Sequence, residues 1–419
     1  MGMKLTKLPS GLSVLSEEIP YVDSVAMGLW CATGTRHEAL PLNGIAHMVE
    51  HMLFKGTKRR TAEQISIESE SVGADLNAYT ARERTAYTIH LLKDDVALGV
   101  DLLADMVQHS TFPQEEIVRE YGVILQEIGM YRDTPDEHIF DIFQEHAYPG
   151  QTLGANILGN ETSLKRIGQD QLHEYVRSFY THEQLVFAAC GNVNHEELCA
   201  LLEKSFTDLN HGTPAPAPKA RYEGGEIRET RKLEQAHLLL GFEGVSVFDP
   251  DYTALRVASM ILGGGTSSRL YLDIREKRGL AYSVYSTIQS FSDSGTFAVY
   301  AGTGEDSLPE LLPALCDQYI GLTQNITEEE LVRAKTQIKA GVLMGRESMV
   351  KRVGMEARYF LQYGKMLNVQ EQLDQIAAVT PADITRVASR LLSGAPTVAA
   401  VGPIQKLEPF HKISERFAA

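Results

Sequence analysis

The chain has 419 residues, 43% of them hydrophobic, and a formal net charge of −16 at pH 7. That length exceeds one ordinary core and predicts two or more domains, while an acidic balance without a basic patch argues against nucleic acid as a partner. No run approaches the roughly eighteen apolar residues of a membrane span, residues 1–9 show no signal-peptide core, and Cys31, Cys190, Cys199 and Cys316 lack paired spacing and read as reduced thiols, so a cytoplasmic protein without membrane contact is expected.

In chain order, the first apolar run of strand length is Val25-Ala26-Met27-Gly28-Leu29-Trp30. A predicted helix then carries His47-Met48-Val49-Glu50-His51. Its two histidines, four residues apart, are neighbours one turn apart, and Glu50 lies beside both on that face. Two imidazoles and a carboxylate so placed suit a zinc ion and a general base, and the order H-x-x-E-H inverts the common zinc-protease spacing. Such a site needs a third protein ligand and one position left open for water. Residues 72–90 read as a hairpin. Residues 115–128, with Pro113 before them and acidic side chains in the first turn, read as a helix with Ile117, Ile124 and Ile128 as its apolar stripe. Glu120 and Glu127, seven residues apart on that helix, look toward one point. Phe187-Ala188-Ala189-Cys190-Gly191 reads as a buried strand.

A Pro-rich stretch from Gly212 to Ala220 lacks any apolar period and reads as a stiff, extended linker. The expected boundaries are 1–211, 212–225 for the linker and 226–419. In the second half His237-Leu238-Leu239-Leu240-Gly241-Phe242 is strand-like. Gly263-Gly264-Gly265-Thr266-Ser267-Ser268-Arg269 looks like a phosphate loop but lacks the Gly-Lys-Ser/Thr ending, so nucleotide binding is rejected. Arg275 and Tyr282 flank the end of a surface helix that stops at Gly279 before a strand. A guanidinium fork and a phenol both suit donation to a carbonyl oxygen as it gains negative charge.

The halves also resemble each other at an offset of about 212 residues. Phe112–Arg119 echoes Ile326–Arg333, Phe187–Gly191 echoes Val398–Gly402, and Ala46–His51 falls over Ala258–Gly263. In the register of the first of these pairs Glu120 lies opposite Ala334 and Glu127 opposite Gly341. The apolar positions persist and the ligands vanish, so the second half is expected to repeat the fold without a metal.

H-x-x-E-H followed by Glu127, seventy-six residues after His51, resembles the pitrilysin family. The likeness covers essentially the whole chain and is nearest to the half-length branch that contains the mitochondrial processing peptidase β-subunit and its bacterial relatives. It implies His47, His51 and Glu127 as ligands of one zinc per chain, Glu50 as general base and Glu120 as a supporting carboxylate. Manganese or cobalt also suits those ligands. It further implies that Asn77 and Ala78 lie on an edge strand that pairs with extended peptide substrates, and that Arg275 and Tyr282 hold substrate backbone near the scissile bond. The glycine-rich segment is similar to a shortened form of one in the noncatalytic subunit of the processing peptidase. The fold implied is α+β, with two similar α/β-sandwich domains from internal duplication forming half of a clamshell that dimerisation completes. A homodimer would take Arg275 and Tyr282 from the partner chain; a heterodimer with a metal-free relative is the alternative. The activity implied is zinc-dependent endopeptidase action on peptides or presequence-like segments, for which the acidic surface suits basic sequences. A noncatalytic scaffold and a peptide carrier of the same fold are the rival readings.

Overall fold

The computed structural model describes residues 2–418; Met1 and Ala419, the outermost residues of the two expected halves, lie outside it. Its strands form two sheets covered by helices. The first contains β1 (Lys4–Lys7), β2 (Ser13–Glu18), β3 (Ser24–Cys31), β4 (Asp75–Thr80), β5 (Thr85–Leu92) and β6 (Leu185–Gly191), in the order β1-β2-β6-β3-β5-β4. The second contains β7 (Gly225–Thr230), β8 (Ala236–Glu243), β9 (Ser283–Ser290), β10 (Gly295–Thr303) and β11 (Thr397–Gly402), in the order β7-β11-β8-β10-β9.

The internal duplication is visible in this topology. In the first sheet β2 pairs parallel with β6, and β6 and β5 flank β3 antiparallel. In the second sheet β7 pairs parallel with β11, and β11 and β10 flank β8 antiparallel. The apolar runs predicted as strands are the central ones, β3, β6, β8 and β11, where both faces are covered and a continuous hydrophobic run is what the environment demands. The hairpin at residues 72–90 is β4 and β5, and β4 is an edge strand paired on one side only.

The compact units are not the contiguous halves drawn from the sequence. One comprises residues 1–128, 155–218 and 344–367; the other comprises 129–154, 219–343 and 368–419. The difference is a reciprocal exchange. Helix Pro135–Ala147, encoded in the first half, packs on β7, β8 and β11, where Ile139, Ile142 and Phe143 join Leu239, Ala298, Ala399 and Val401 in one buried cluster. Helix Met349–Tyr363, encoded in the second half, packs on β2, β3 and β6, where Val353 and Ala357 join Leu15, Ala26, Trp30 and Val186. Charge pins this second helix as well: Glu17 on β2 faces Arg352 at 3.2 Å and Arg346 at 3.7 Å, and Arg346 also meets Glu356 at 3.2 Å. The predicted linker has no regular element before Gly225. It is tied down at Gly212, whose N–H donates to Glu183, and at Tyr222, whose hydroxyl meets that of Thr397 at 2.6 Å.

Candidate metal centre

Helix Ile45–Leu53 is short and mostly buried, and it presents His47, Glu50 and His51 on one face. Gly44 precedes it with φ of +94°, a conformation that suits glycine, and a Cβ there would lie 2.7 Å from the Leu158 carbonyl oxygen. Lacking a side chain, Gly44 cannot cap the helix. Glu38 does so from the preceding loop, accepting from the N–H groups of Gly44 at 2.9 Å and Ala46 at 2.8 Å and from Asn43 Nδ2 at 3.0 Å. Burial pushes the Glu38 carboxyl up to about 7, against the pull of those three donors.

The second helix of the candidate site, Gln114–Arg132, begins one residue earlier and ends four residues later than the sequence suggested. It buries Ile117 and Ile124 as expected, with Ile128 half-buried, and it also buries Glu120. Glu127 faces the two histidines. Its Oε2 lies 3.7 Å from His47 Nε2 and 3.8 Å from His51 Nε2. Ligands about 2.1 Å from a tetrahedral zinc stand about 3.4 Å from one another, so these two pairs need contract by only a few tenths of an ångström to suit an ion. Among the described residues His47, His51 and Glu127 form the one group of three or more histidine, cysteine or acidic side chains able to hold a metal, with ligand atoms all within 4.8 Å of one another.

Burial and hydrogen bonding prepare the two imidazoles in different ways. Burial, aided by the neighbouring His51, lowers His47 to about 3 and leaves it neutral. Glu120 accepts from His51 Nδ1 at 2.8 Å, which assigns the ring proton to that nitrogen and leaves the Nε2 lone pair facing Glu127. Burial raises the Glu120 carboxyl, but Lys55, 2.7 Å away, and His51 outweigh it and hold it below the ordinary carboxylate range. Glu127 is raised by burial, with His51 opposing. Glu50 is also raised by burial; Thr80 Oγ1 on β4 donates to its Oε2 at 2.5 Å and opposes that shift, leaving Oε1 for another partner.

Sequence reasoning missed Glu38, Lys55 and Thr80. A glycine at the helix start with no acidic residue in the first turn was the available signal for a cap supplied from outside. Lys55, four residues after His51, had the helical spacing of a neighbour but reads as a surface charge.

Asn77 and Ala78 lie on edge strand β4, where Asn77 Oδ1 accepts from the Ala78 N–H at 2.8 Å. Arg275 and Tyr282 belong to the second compact unit. The helix predicted before Gly279 is wound as a π-helix over Tyr271–Lys277, a geometry enriched at functional sites. Arg275 Cζ sits 4.2 Å from the centre of the Tyr282 ring and 4.8 Å from that of Tyr271, so the guanidinium is stacked between two phenols while Tyr282 is 74% exposed. At the positions opposite His47, Glu50 and His51, the second half has Ser259, Leu262 and Gly263. A Cβ on Gly263 would lie 2.4 Å from the Ser286 nitrogen, leaving no room for a ligating side chain.

Residues 13–161 match the insulinase family, peptidase family M16, and residues 166–338 match the peptidase M16 inactive domain. An uncharacterized zinc protease of Rickettsia bellii is 37% identical over 403 residues, covering 96% of this chain and 98% of its own. The chain belongs to peptidase family M16. The uncharacterized zinc protease YmxG of Bacillus subtilis is 34% identical over 396 residues, covering 94% of this M16 chain and 97% of its own. These lengths agree with the half-length branch expected from the sequence. A crystal structure of a protease from Helicobacter pylori has the same fold, with a TM-score of 0.90 over 96% of this chain and 99% of that one, at 22% identity. No helix among the described residues is long and apolar enough to cross a membrane.

Proposed function

We propose that this M16 chain is a zinc-dependent endopeptidase acting on extended peptides. The observation that carries the reading is the convergence of His47 Nε2 and His51 Nε2 on one oxygen of Glu127, beside a Glu50 held by Thr80. Zinc bound by those three residues would supply a Lewis acid and bring the acidity of a bound water toward neutral pH.

Glu50 takes a proton from the attacking water and delivers it to the leaving amine. Its upward shift suits this task, because a base whose pKa approaches the working pH both accepts and returns the proton. The free side of β4 binds the substrate as an added strand near Asn77 and Ala78, recognising backbone more than side chains. For this step the substrate displaces the bond that Asn77 makes to the Ala78 N–H. Arg275 and Tyr282 of a partner chain donate to the carbonyl oxygen as it gains charge. A homodimer thereby builds two sites, the cytoplasm is the compartment of choice, and basic peptides are the favoured substrates of a chain with net charge −16.

The test is hydrolysis of a quenched fluorescent basic peptide of roughly twenty residues, a length an extended edge-strand site can engage, with and without chelator and beside Glu50→Gln. Cleavage that stops with chelator, and is absent in Glu50→Gln protein that still binds zinc, is the expected result. A zinc-loaded wild type that binds the peptide without cutting it would instead make the protein a carrier.

A further inference from the structure

We infer that Glu38 is a positioning residue for the metal site, acting through the backbone of the helix that bears two of its ligands. The inference rests on the reading of His47, His51 and Glu127 as metal ligands.

The two histidines are held in different ways. His51 is oriented by a direct side-chain bond from its Nδ1 to Glu120. His47 has no such support: its buried Nδ1 meets no hydrogen-bond partner among the described residues. The direction of the His47 ring is therefore set by packing and by the backbone from which it projects. That backbone is the first turn of a nine-residue helix whose N-cap is glycine and whose first turn has no acidic residue. Three donors converge on Glu38 there, from Asn43, Gly44 and Ala46, and the last is the neighbour of His47 in the chain.

The helix start is buried, but on one side of it lies an open pocket of about 630 Å³, lined by Glu38, Leu42, Ile45, Tyr175 and Phe179 among others, so packing does not hold it there. A carboxylate that is only 6% exposed, and whose two oxygens both accept from this one turn, fixes it instead. In its ionised form Glu38 also complements the helix dipole. Asn43 extends the clamp, its Nδ2 bonding the Asn156 carbonyl at 2.9 Å as well as Glu38.

Glu38→Gln is the informative change, since an amide presents one acceptor and one NH₂ where the turn requires two acceptors. Either Ala46 or the Asn43 and Gly44 pair then faces a donor, and the turn must shift. The protein loaded with cobalt in place of zinc provides a readout of ligand geometry through its visible absorption, and competition with a coloured chelator gives the affinity. Losing a group that orients a ligand costs about 10–100-fold in metal affinity, and about tenfold weaker cobalt and zinc binding is expected here, with an altered cobalt spectrum. Glu38→Asp, which keeps two acceptor oxygens on a shorter arm, should recover part of the affinity. A Glu38→Gln protein that melts earlier without metal yet binds cobalt with the wild-type affinity and spectrum would overturn the inference, because Glu38 would then serve stability alone. His47→Ala is measured alongside. If it binds cobalt as the wild type does, the ligand reading itself falls and takes this inference with it.

Discussion

Glu120→Gln tests whether a chain of charges sets up the metal site from behind. Glu120 is nearly inaccessible, its side chain 4% exposed, and it accepts from His51 Nδ1 at 2.8 Å and from Lys55 Nζ at 2.7 Å. The amide removes the charge and offers His51 either a weaker neutral acceptor or a donor. A hydrogen bond involving a charged group contributes about 1.5–3 kcal/mol, and an outer partner of a metal-bound histidine about 10–100-fold in affinity, which is about 1.4–2.8 kcal/mol at 1.4 kcal/mol per decade. The two estimates agree on about 2 kcal/mol, or roughly 30-fold weaker zinc binding. Lys55→Met should cost less, about 3–10-fold, because Lys55 is 29% exposed and water partly replaces it beside Glu120. Lys55 acts only through Glu120 in this scheme, so adding Lys55→Met to Glu120→Gln should change little further. Chelator competition at one fixed pH measures all three variants beside the wild type. Folded Glu120→Gln protein with affinity within threefold of wild type, or fully additive effects of the two substitutions, would refute the scheme.

Two further predictions concern stability. Phe143 lies 3% exposed in the cluster that joins helix Pro135–Ala147 to the second sheet, so Phe143→Ala should destabilise the protein by about 3–5 kcal/mol in urea unfolding; a loss under 1 kcal/mol would mean that the helix is not a fixed part of that core. Asp105 has no exposed side-chain surface, and although burial pushes its carboxyl up, bonds from Thr57, Arg60 and Arg59 prevail and hold it below the usual range. A lowered folded pKa stabilises above the unfolded value of about 3.9 and is lost as pH falls through the folded one, so Asp105→Asn should cost about 3–5 kcal/mol at pH 7 and the gap to wild type should narrow below pH ~4. A gap that is constant from pH 7 to pH 3 would exclude ionisation of Asp105 as its source.

Much of the candidate site's geometry was legible because its signals are local or periodic. The spacing of His47, Glu50 and His51 is a helix face, Glu120 and Glu127 share another, and the runs at β3, β6, β8 and β11 name the sheet centres. The helix exchange was not legible. An amphipathic stretch such as Pro135–Ala147 shows the same apolar pattern whichever sheet it covers, so sequence order suggests the nearer one and the structure uses the other. Glu38 escaped for a related reason: it stands nine residues before His47, and only the fold of the intervening loop turns it back onto the helix start. The placement of Arg275 against Tyr282 and Tyr271 depends on a π-helical winding that residue spacing does not announce.

The exchanged helices also set a timetable for synthesis. The first sheet has all its strands once Gly191 is made, yet the helix that covers Leu15, Ala26, Trp30 and Val186 ends only at Tyr363. At ~5–20 residues per second, the ribosome needs roughly 10–30 s for the stretch between. For that interval the nascent chain carries a nearly finished sheet with one oily face bare. A gene split at the Pro-rich linker would yield two fragments each waiting for a helix that only the other encodes.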